Sequence, residues 1–181
     1  MVLASVQLVY SGGMASFPGG GVPAAGGCTG TGQLGQTGTA GTLSGGWENI
    51  SLFTAPNDIC GKYVHAYTGA LSTGEHISLG IYDASYNLLA SCEITGPDET
   101  VSWKNCLLDS EVQLSNGVNY HIFYDHDASI ALHDSGSDVC TRARDLDQYY
   151  STPPDPWPTE GDTADTECEA LVVSDTSDDP T

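Results

Sequence analysis

Basic side chains are almost missing from this 181-residue chain. It has 24 acidic residues and only four basic ones, which gives a formal net charge of −20 at pH 7. A nucleic-acid-binding protein needs a basic surface to neutralise phosphates, and an anionic membrane surface repels a chain this acidic. No stretch approaches the roughly 20 apolar residues of a transmembrane helix. We therefore expect neither nucleic acid nor a membrane among its partners.

Charge of either sign is also lacking from one long stretch near the N-terminus. Residues 11–46 contain no charged side chain and 14 of the 22 glycines, whereas residues 145–181 contain eleven acids and no base. Glycine disfavours both helices and central strands, so this stretch is either a flexible linker or an arm along a neighbouring subunit. We expect an N-terminal strand and Gly-rich arm at 1–46, a β-sandwich body at 47–147 and a Pro-rich acidic tail at 148–181.

The chain has no CxxC pair, which excludes the usual zinc ribbons and thioredoxin-like redox sites. Its cysteine count is nevertheless even, and the composition suits an oxidising exterior, so we expect disulfides and a virion-surface or extracellular location. Cys92 and Cys106 flank a hairpin predicted around Gly96-Pro97-Asp98 and suit a bridge between paired strands. The other pairings stay open. The six cysteines are Cys28, Cys60, Cys92, Cys106, Cys140 and Cys168.

The beginning of the sequence has neither a basic region nor a long apolar region of the secretory type. We therefore expect that it is not a secretory precursor. It is either a mature form or a protein that reaches the exterior by another route, as virion proteins do when the host lyses.

Alternating apolar residues predict many short strands and no helix longer than a turn or two. In the clearest segment, Ile77, Leu79 and Ile81 share one face, as the two-residue period of a strand requires. Many short strands separated by turn signals are typical of an antiparallel sandwich. The predicted body strands are 48–54, 61–68, 75–82, 86–94, 100–105, 110–114, 118–124, 129–133 and 138–143.

One region carries a resemblance to a known fold pattern. The residues that match are Leu79, Gly80, Ile81, Tyr82 and Asp83, then Leu88, Leu89 and Ala90, then Leu114, Gly117 and Tyr120. This pattern, within residues 61–124, resembles jelly-roll modules of phage decoration, fibre and tail-tip proteins, of extracellular filament subunits and of carbohydrate-binding modules. The resemblance implies an all-β, antiparallel jelly-roll β-sandwich, with an extended N-terminal arm and C-terminal tail outside the matched region. It implies no site residue.

A cluster of aspartates suggests a metal site. Asp125-His126-Asp127 begins like a calcium loop, although the third ligand and the distal glutamate of an EF-hand are missing. We predict a calcium site between loops of the sandwich, and the alternative is that these aspartates only initiate solvated turns. The candidate ligands are Asp125, Asp127, Asp134, Asp138, Asp145 and Asp147.

Four aromatic residues are candidates for stacking on sugar rings or on a partner protein. Trp157 lies between two prolines, outside the predicted core, and so should dock either on its own sandwich or on a neighbour. The four residues are Trp103, Tyr149, Tyr150 and Trp157.

Apolar runs at residues 2–10 and 170–173 have the character of strands. Such runs can add to the open sheet edge of a neighbour, because main-chain hydrogen bonds supply affinity and alternate side chains set the register. The alternative is that both runs complete their own sandwich. The apolar positions that we assign to assembly are Val2, Val6, Leu8, Leu171 and Val173.

The sequence has no nucleophile elbow, zinc-protease helix, phosphate-binding loop or dinucleotide fingerprint, and we expect no enzyme activity. The leading hypothesis is a structural protein exposed on a phage-like particle as a decoration or attachment subunit. Its partners would be copies of itself and neighbouring structural subunits. The alternatives are a subunit of a secreted filament or tube, joined by strand exchange with bound calcium, and a secreted carbohydrate-binding module that binds glycans.

Overall fold

The computed structural model describes residues 27–39, 48–127, 133, 140–145, 152–158, 163–165 and 169–181. In these ranges all regular secondary structure is β-strand. This part of the chain has no helix long and apolar enough to span a membrane. The strands are β1 (Gln33–Gly35), β2 (Glu48–Thr54), β3 (Ile59–Thr68), β4 (His76–Asp83), β5 (Leu88–Thr95), β6 (Ser102–Leu114), β7 (Asn119–His126), β8 (Cys140–Asp145), β9 (Thr163–Asp165) and β10 (Leu171–Ser174).

The ten strands form two antiparallel sheets. Sheet A has the order β1-β10-β3-β6, and sheet B has the order β5-β4-β7-β2-β8-β9. Side chains of both sheets meet in one apolar cluster. The predicted all-β antiparallel class is confirmed, and the arrangement is that of a β-sandwich. The jelly-roll connectivity and the domain boundaries stay predictions.

The core follows the period of two that the sequence predicts. Ile77, Leu79 and Ile81 of β4 are completely buried, as are Val64 and Ala66 of β3. Burying a large aliphatic side chain stabilises a fold by about 1.5–3 kcal/mol, so these positions supply much of the driving force for folding. The intervening residues of β3 and β4 face outward, where other segments of the chain cover some of them.

The C-terminal strand β10 lies inside sheet A. It pairs with β1 on one side and with β3 on the other, and all four of its side chains are buried. Leu171 and Val173, which we assigned to assembly, thus pair within their own sandwich and contribute to its core. The other assembly positions, Val2, Val6 and Leu8, lie outside the described residues.

Strand β6 differs from the sequence prediction because it is continuous. The sequence predicts two strands, 100–105 and 110–114, with a break between them. The ladder with β3 does break close to this point: Tyr63 pairs with Leu107 and Gly61 with Val112, so residues 108–111, of which Asp109, Ser110 and Glu111 are exposed, form an irregularity within one continuous strand. The predicted strand 129–133 lies outside the described residues except for His133, which is not in a strand.

Two disulfides link the described elements. The predicted bridge between Cys92 and Cys106 is formed, but it joins β5 to β6, which are edge strands of different sheets rather than a pair. The second bridge joins Cys28, which precedes β1, to Cys60 of β3. Bridges closing loops of this length contribute about 3–4 kcal/mol each in the chain-entropy model. The side chain of Cys140 and all of Cys168 lie outside the described residues.

Candidate functional site

The aspartates of the predicted calcium site are only partly described. Asp125 of β7 is buried and accepts the backbone N–H of His126 at 2.6 Å. Asp127 is exposed and accepts the backbone N–H of His76 at 2.8 Å. Asp134, Asp138 and Asp147, and the side chain of Asp145, lie outside the described residues. The calcium site therefore stays a prediction.

Within the described residues, one group of three side chains is close enough to share a metal ion. Its members are Cys28, Cys60 and Glu111, whose ligand atoms lie within 4.8 Å of one another. The two sulfurs are joined in a disulfide, so neither is the thiolate that metal ligation requires. Glu111 also forms an ion pair with Lys62 at 3.5 Å. In this oxidised state the group is structural.

Trp157 docks on its own sandwich. It is 2% exposed on the outer face of sheet B, where its ring lies 5.2 Å from that of Phe123 and 6.0 Å from that of Tyr82. Ile50 of β2 completes this small apolar cluster. A ring enclosed in this way has no face free to stack on a sugar. Tyr149 and Tyr150 lie outside the described residues.

Three hydrogen bonds, each with at least one backbone group, hold residues 152–158, the segment that carries Trp157, against sheet B. The Trp157 N–H donates to the Tyr86 carbonyl at 2.9 Å, and the Tyr82 hydroxyl donates to the Pro154 carbonyl at 2.8 Å. The Leu88 N–H donates to the Asp155 carboxylate at 3.0 Å. The sequence signal for this segment was its isolated tryptophan, but which sheet face it covers could not be predicted.

Trp103 belongs to a different surface, the aromatic face of sheet A, formed by Tyr63, Tyr67, Trp103 and Leu107. Trp103 is partly exposed, and its ring meets that of Tyr67 edge-on at 5.5 Å. Leu107, which pairs with Tyr63 across the strands, is 63% exposed. This face therefore presents aromatic and aliphatic surface to solvent on either side of the His65–Asn105 pair.

The C-terminal residues cross the middle of the aromatic face. His65 Nε2 lies 2.7 Å from the Ser174 hydroxyl and 3.2 Å from the Thr176 carbonyl, and the Asn105 amide donates to the Ser177 carbonyl at 3.2 Å. His65 is completely buried as a result. Burial lowers the pKa of His65, and the Thr176 carbonyl and Asp179 only partly oppose that effect.

An open groove lies where the two sheets diverge, and we call it the edge groove. Its volume is about 540 Å³, and its lining comes from the β4–β5 turn, β5, the end of β6 and the start of β7. Leu89 and Val118 are 37% and 42% exposed in it, next to the buried side chains of Val112 and Tyr120. The edge groove thus offers apolar surface that nothing in the described part of the chain covers.

Carboxylates form the rim of the edge groove. The Asp83 carboxylate accepts the N–H groups of Ser85 and Asn87 at 2.8 and 3.0 Å, and the Asn87 amide at 2.7 Å. Desolvation by burial acts to raise the pKa of Asp83, but these hydrogen bonds outweigh it and hold the pKa below its usual value. Asp83 therefore stays ionised at neutral pH. It gives the groove rim a negative charge, whereas the charge of Glu111 on the same rim is offset by Lys62.

The described N-terminal segment meets the chain beside the edge groove. The Thr29 N–H donates to the Gln113 side chain at 2.9 Å, and the Gln113 amide returns a hydrogen bond to the Thr29 carbonyl at 3.0 Å. Gln113 also lines the groove. Sequence reasoning missed this site because Leu89 and Val118 resemble ordinary strand residues. Their exposure depends on how the two sheets separate at this edge.

A comparison of the chain with protein-family models and with curated proteins finds no match. Two surfaces of the described residues have the chemistry of a binding site: the apolar edge groove with its acidic rim, and the aromatic face crossed by the C-terminus.

The burial of Trp157 leads to a stability prediction. Trp157→Ala should lower the free energy of unfolding by about 3–5 kcal/mol, because it leaves a cavity between the outer face of sheet B and residues 152–158. Trp103→Ala is the matched control and should cost less, since its ring is partly solvated. Urea unfolding measures both variants. A larger loss in Trp103→Ala than in Trp157→Ala would contradict the assignment.

The environment of His65 leads to a pH prediction. Its pKa is lowered in the folded protein, so its contribution to stability is complete above the unfolded-state pKa of about 6.5 and is lost as pH falls below that value. The free energy of unfolding of the natural chain should therefore drop more steeply between about pH 7.5 and pH 5 than that of His65→Gln. Equal slopes in denaturant titrations would show that His65 does not titrate in this way.

Proposed function

We propose that this protein is a non-catalytic structural subunit, exposed on a phage-like particle as a decoration or attachment subunit. The observation that carries the proposal is the edge groove, in which Leu89 and Val118 expose apolar surface beside strand β6. An apolar groove on the surface of a strongly acidic protein suits contact with another molecule. Within the described ranges β6 pairs only with β3, and β5 lies against β6 at the Cys92–Cys106 bridge. A strand can therefore add to β6 only beyond that bridge, along the groove-lining residues Glu111, Val112 and Gln113.

The covalent structure of the chain suits an exterior location. The two disulfides suggest an oxidising, extracellular-type environment. The Cys92–Cys106 bridge fastens the edges of the two sheets together close to the groove, and Cys28–Cys60 anchors the segment that leads toward the N-terminus. Such bridges persist on the outside of a particle, because the thiol pool that reduces disulfides in the cytosol is absent there.

The net charge of −20 sets a condition on assembly. Copies of this chain repel one another at long range, and salt screens that repulsion over a Debye length of about 8–10 Å at ordinary ionic strength. Contacts between copies should therefore use uncharged surfaces, and assembly should strengthen with salt. An apolar groove meets both conditions, because its apolar side chains carry no charge and salt strengthens contacts between apolar surfaces.

Self-association of the full-length chain tests this proposal. Sedimentation velocity at rising protein and salt concentration should show oligomers whose proportion increases with salt, and electron micrographs of native material should place the protein on closed particles. Val118→Asp should weaken association, whereas Leu107→Asp, at a more exposed residue outside the groove, should not. A monomer at every concentration and salt level would overturn the proposal, and open tubes that dissociate on calcium chelation would favour the filament alternative.

A carbohydrate-binding module is the second candidate, and the aromatic face of sheet A favours it. Tyr67 and Trp103 present partly exposed rings next to the His133 ring, whose centroid lies 4.9 Å from that of Tyr67. Exposed aromatic rings can stack on the apolar faces of sugars. Glycan-array binding that Trp103→Ala abolishes and Val118→Asp leaves intact would support this candidate. No binding to any glycan would remove it.

A further inference from the structure

We propose that the edge groove binds residues 2–10 of a neighbouring copy of this chain. This inference rests on the proposed function, because it requires that copies lie side by side. It names the partner of the groove and the chemistry of recognition, namely an uncharged strand with alternating apolar side chains.

The location of the groove supports this partner. Thr29 is held at the rim by its paired hydrogen bonds with Gln113, and Cys28 is fixed by its bridge to Cys60. The chain therefore enters its described N-terminal part directly beside the groove. An extended chain spans up to about 3.3–3.6 Å per residue, so the preceding residues are long enough to reach a neighbouring sandwich. The glycines of residues 11–26 impose few conformational limits on that path.

The negative charge of the groove rim also favours residues 2–10 as the occupant. Lys62 offsets the charge of Glu111 at 3.5 Å, so the negative charge of the rim comes from Asp83. Lys104 pairs with Asp98 at 2.9 Å, and an acidic segment is therefore repelled by Asp83 at the rim. Residues 1–47 contain no charged side chain, in a chain with 24 acids. Among the long segments of this sequence, they are the ones that can approach the rim without repulsion.

The side-chain pattern of residues 2–10 suits the shape of the groove. Alternation places one set of side chains on a single face of an extended strand. These apolar side chains would cover Leu89 and Val118 and lie against Val112 and Tyr120 on the groove floor. Beyond the Cys92–Cys106 bridge, the part of β6 that lines the groove, Glu111 to Gln113, would supply main-chain hydrogen bonds, as in strand addition generally. The set on one face is Val2, Ala4, Val6, Leu8 and Tyr10.

A chain's own segment competes with that of a neighbour for the groove. A short flexible linker holds its own segment at an effective concentration of about 1 mM, so a neighbour's segment competes only where copies are packed at a similar density. The neighbour is the occupant that also joins copies together, as the proposed function requires. We therefore assign the groove to exchange between copies.

Paired substitutions in the full-length chain provide the first test. Leu8→Asp and Val118→Asp should each weaken self-association at least tenfold in sedimentation velocity, because each introduces a charge on one side of the same contact. Leu107→Asp and Val101→Asp, which alter exposed apolar residues outside the groove, should leave the association constant unchanged. Combining Leu8→Asp with Val118→Lys should restore association. Equal effects of all four single substitutions would overturn the assignment, as would failure of the combined variant to recover.

Photo-cross-linking provides the second test and identifies the donor. A benzoylphenylalanine at position 8 is placed in both isotopically labelled and unlabelled chains, which are mixed at a concentration where they associate. Cross-linked peptides joining position 8 of one isotope to Leu89 or Val118 of the other support the inference. Cross-links confined to one chain, or to residues outside the groove, overturn it. Cross-links between copies without any particle in electron micrographs would remove the proposed function and leave the groove assignment in place.

Discussion

The insertion of β10 between β1 and β3 is the contact on which the rest of the structure depends. A strand from the end of the chain supplies the centre of sheet A, so the sheet is complete only when residues 171–174 have paired on both sides. Glu169, just before β10, is buried and accepts the Ser51 hydroxyl at 2.6 Å, which ties this strand to β2 of sheet B. The core between the sheets is therefore complete only with β10 in place, because Leu171 and Val173 belong to it.

The same insertion explains why much of the acidic C-terminal part of the chain lies against the sandwich. Once β10 is fixed, residues 174–181 cross the outer face of sheet A and bury His65, while residues 152–158 cover the outer face of sheet B through Trp157. Both outer faces thus gain cover from the chain itself. The edge groove receives none from the described residues, and it is the surface to which we assign a partner.

Much of this architecture could be predicted from residue patterns, because burial on one face of a strand leaves a period of two. The strands around Ile77, Val64 and Tyr120, and the Cys92–Cys106 bridge, follow from such local signals. The separation of β5 and β6 into different sheets does not, because it depends on contacts distant in sequence. The sheet face that Trp157 covers and the edge groove also could not be predicted from the sequence. Each depends on several strands that are distant in sequence and meet only in the fold.

Hydrogen exchange of the β10 amides tests the central claim most directly. Because Leu171–Ser174 pair on both sides and are buried, their amides should exchange as slowly as those of β7 in the centre of sheet B, and both sets should open together in the global unfolding transition. Exchange of the β10 amides at the rate of the exposed turn at Ser72–Gly74, while β7 stays protected, would contradict the account.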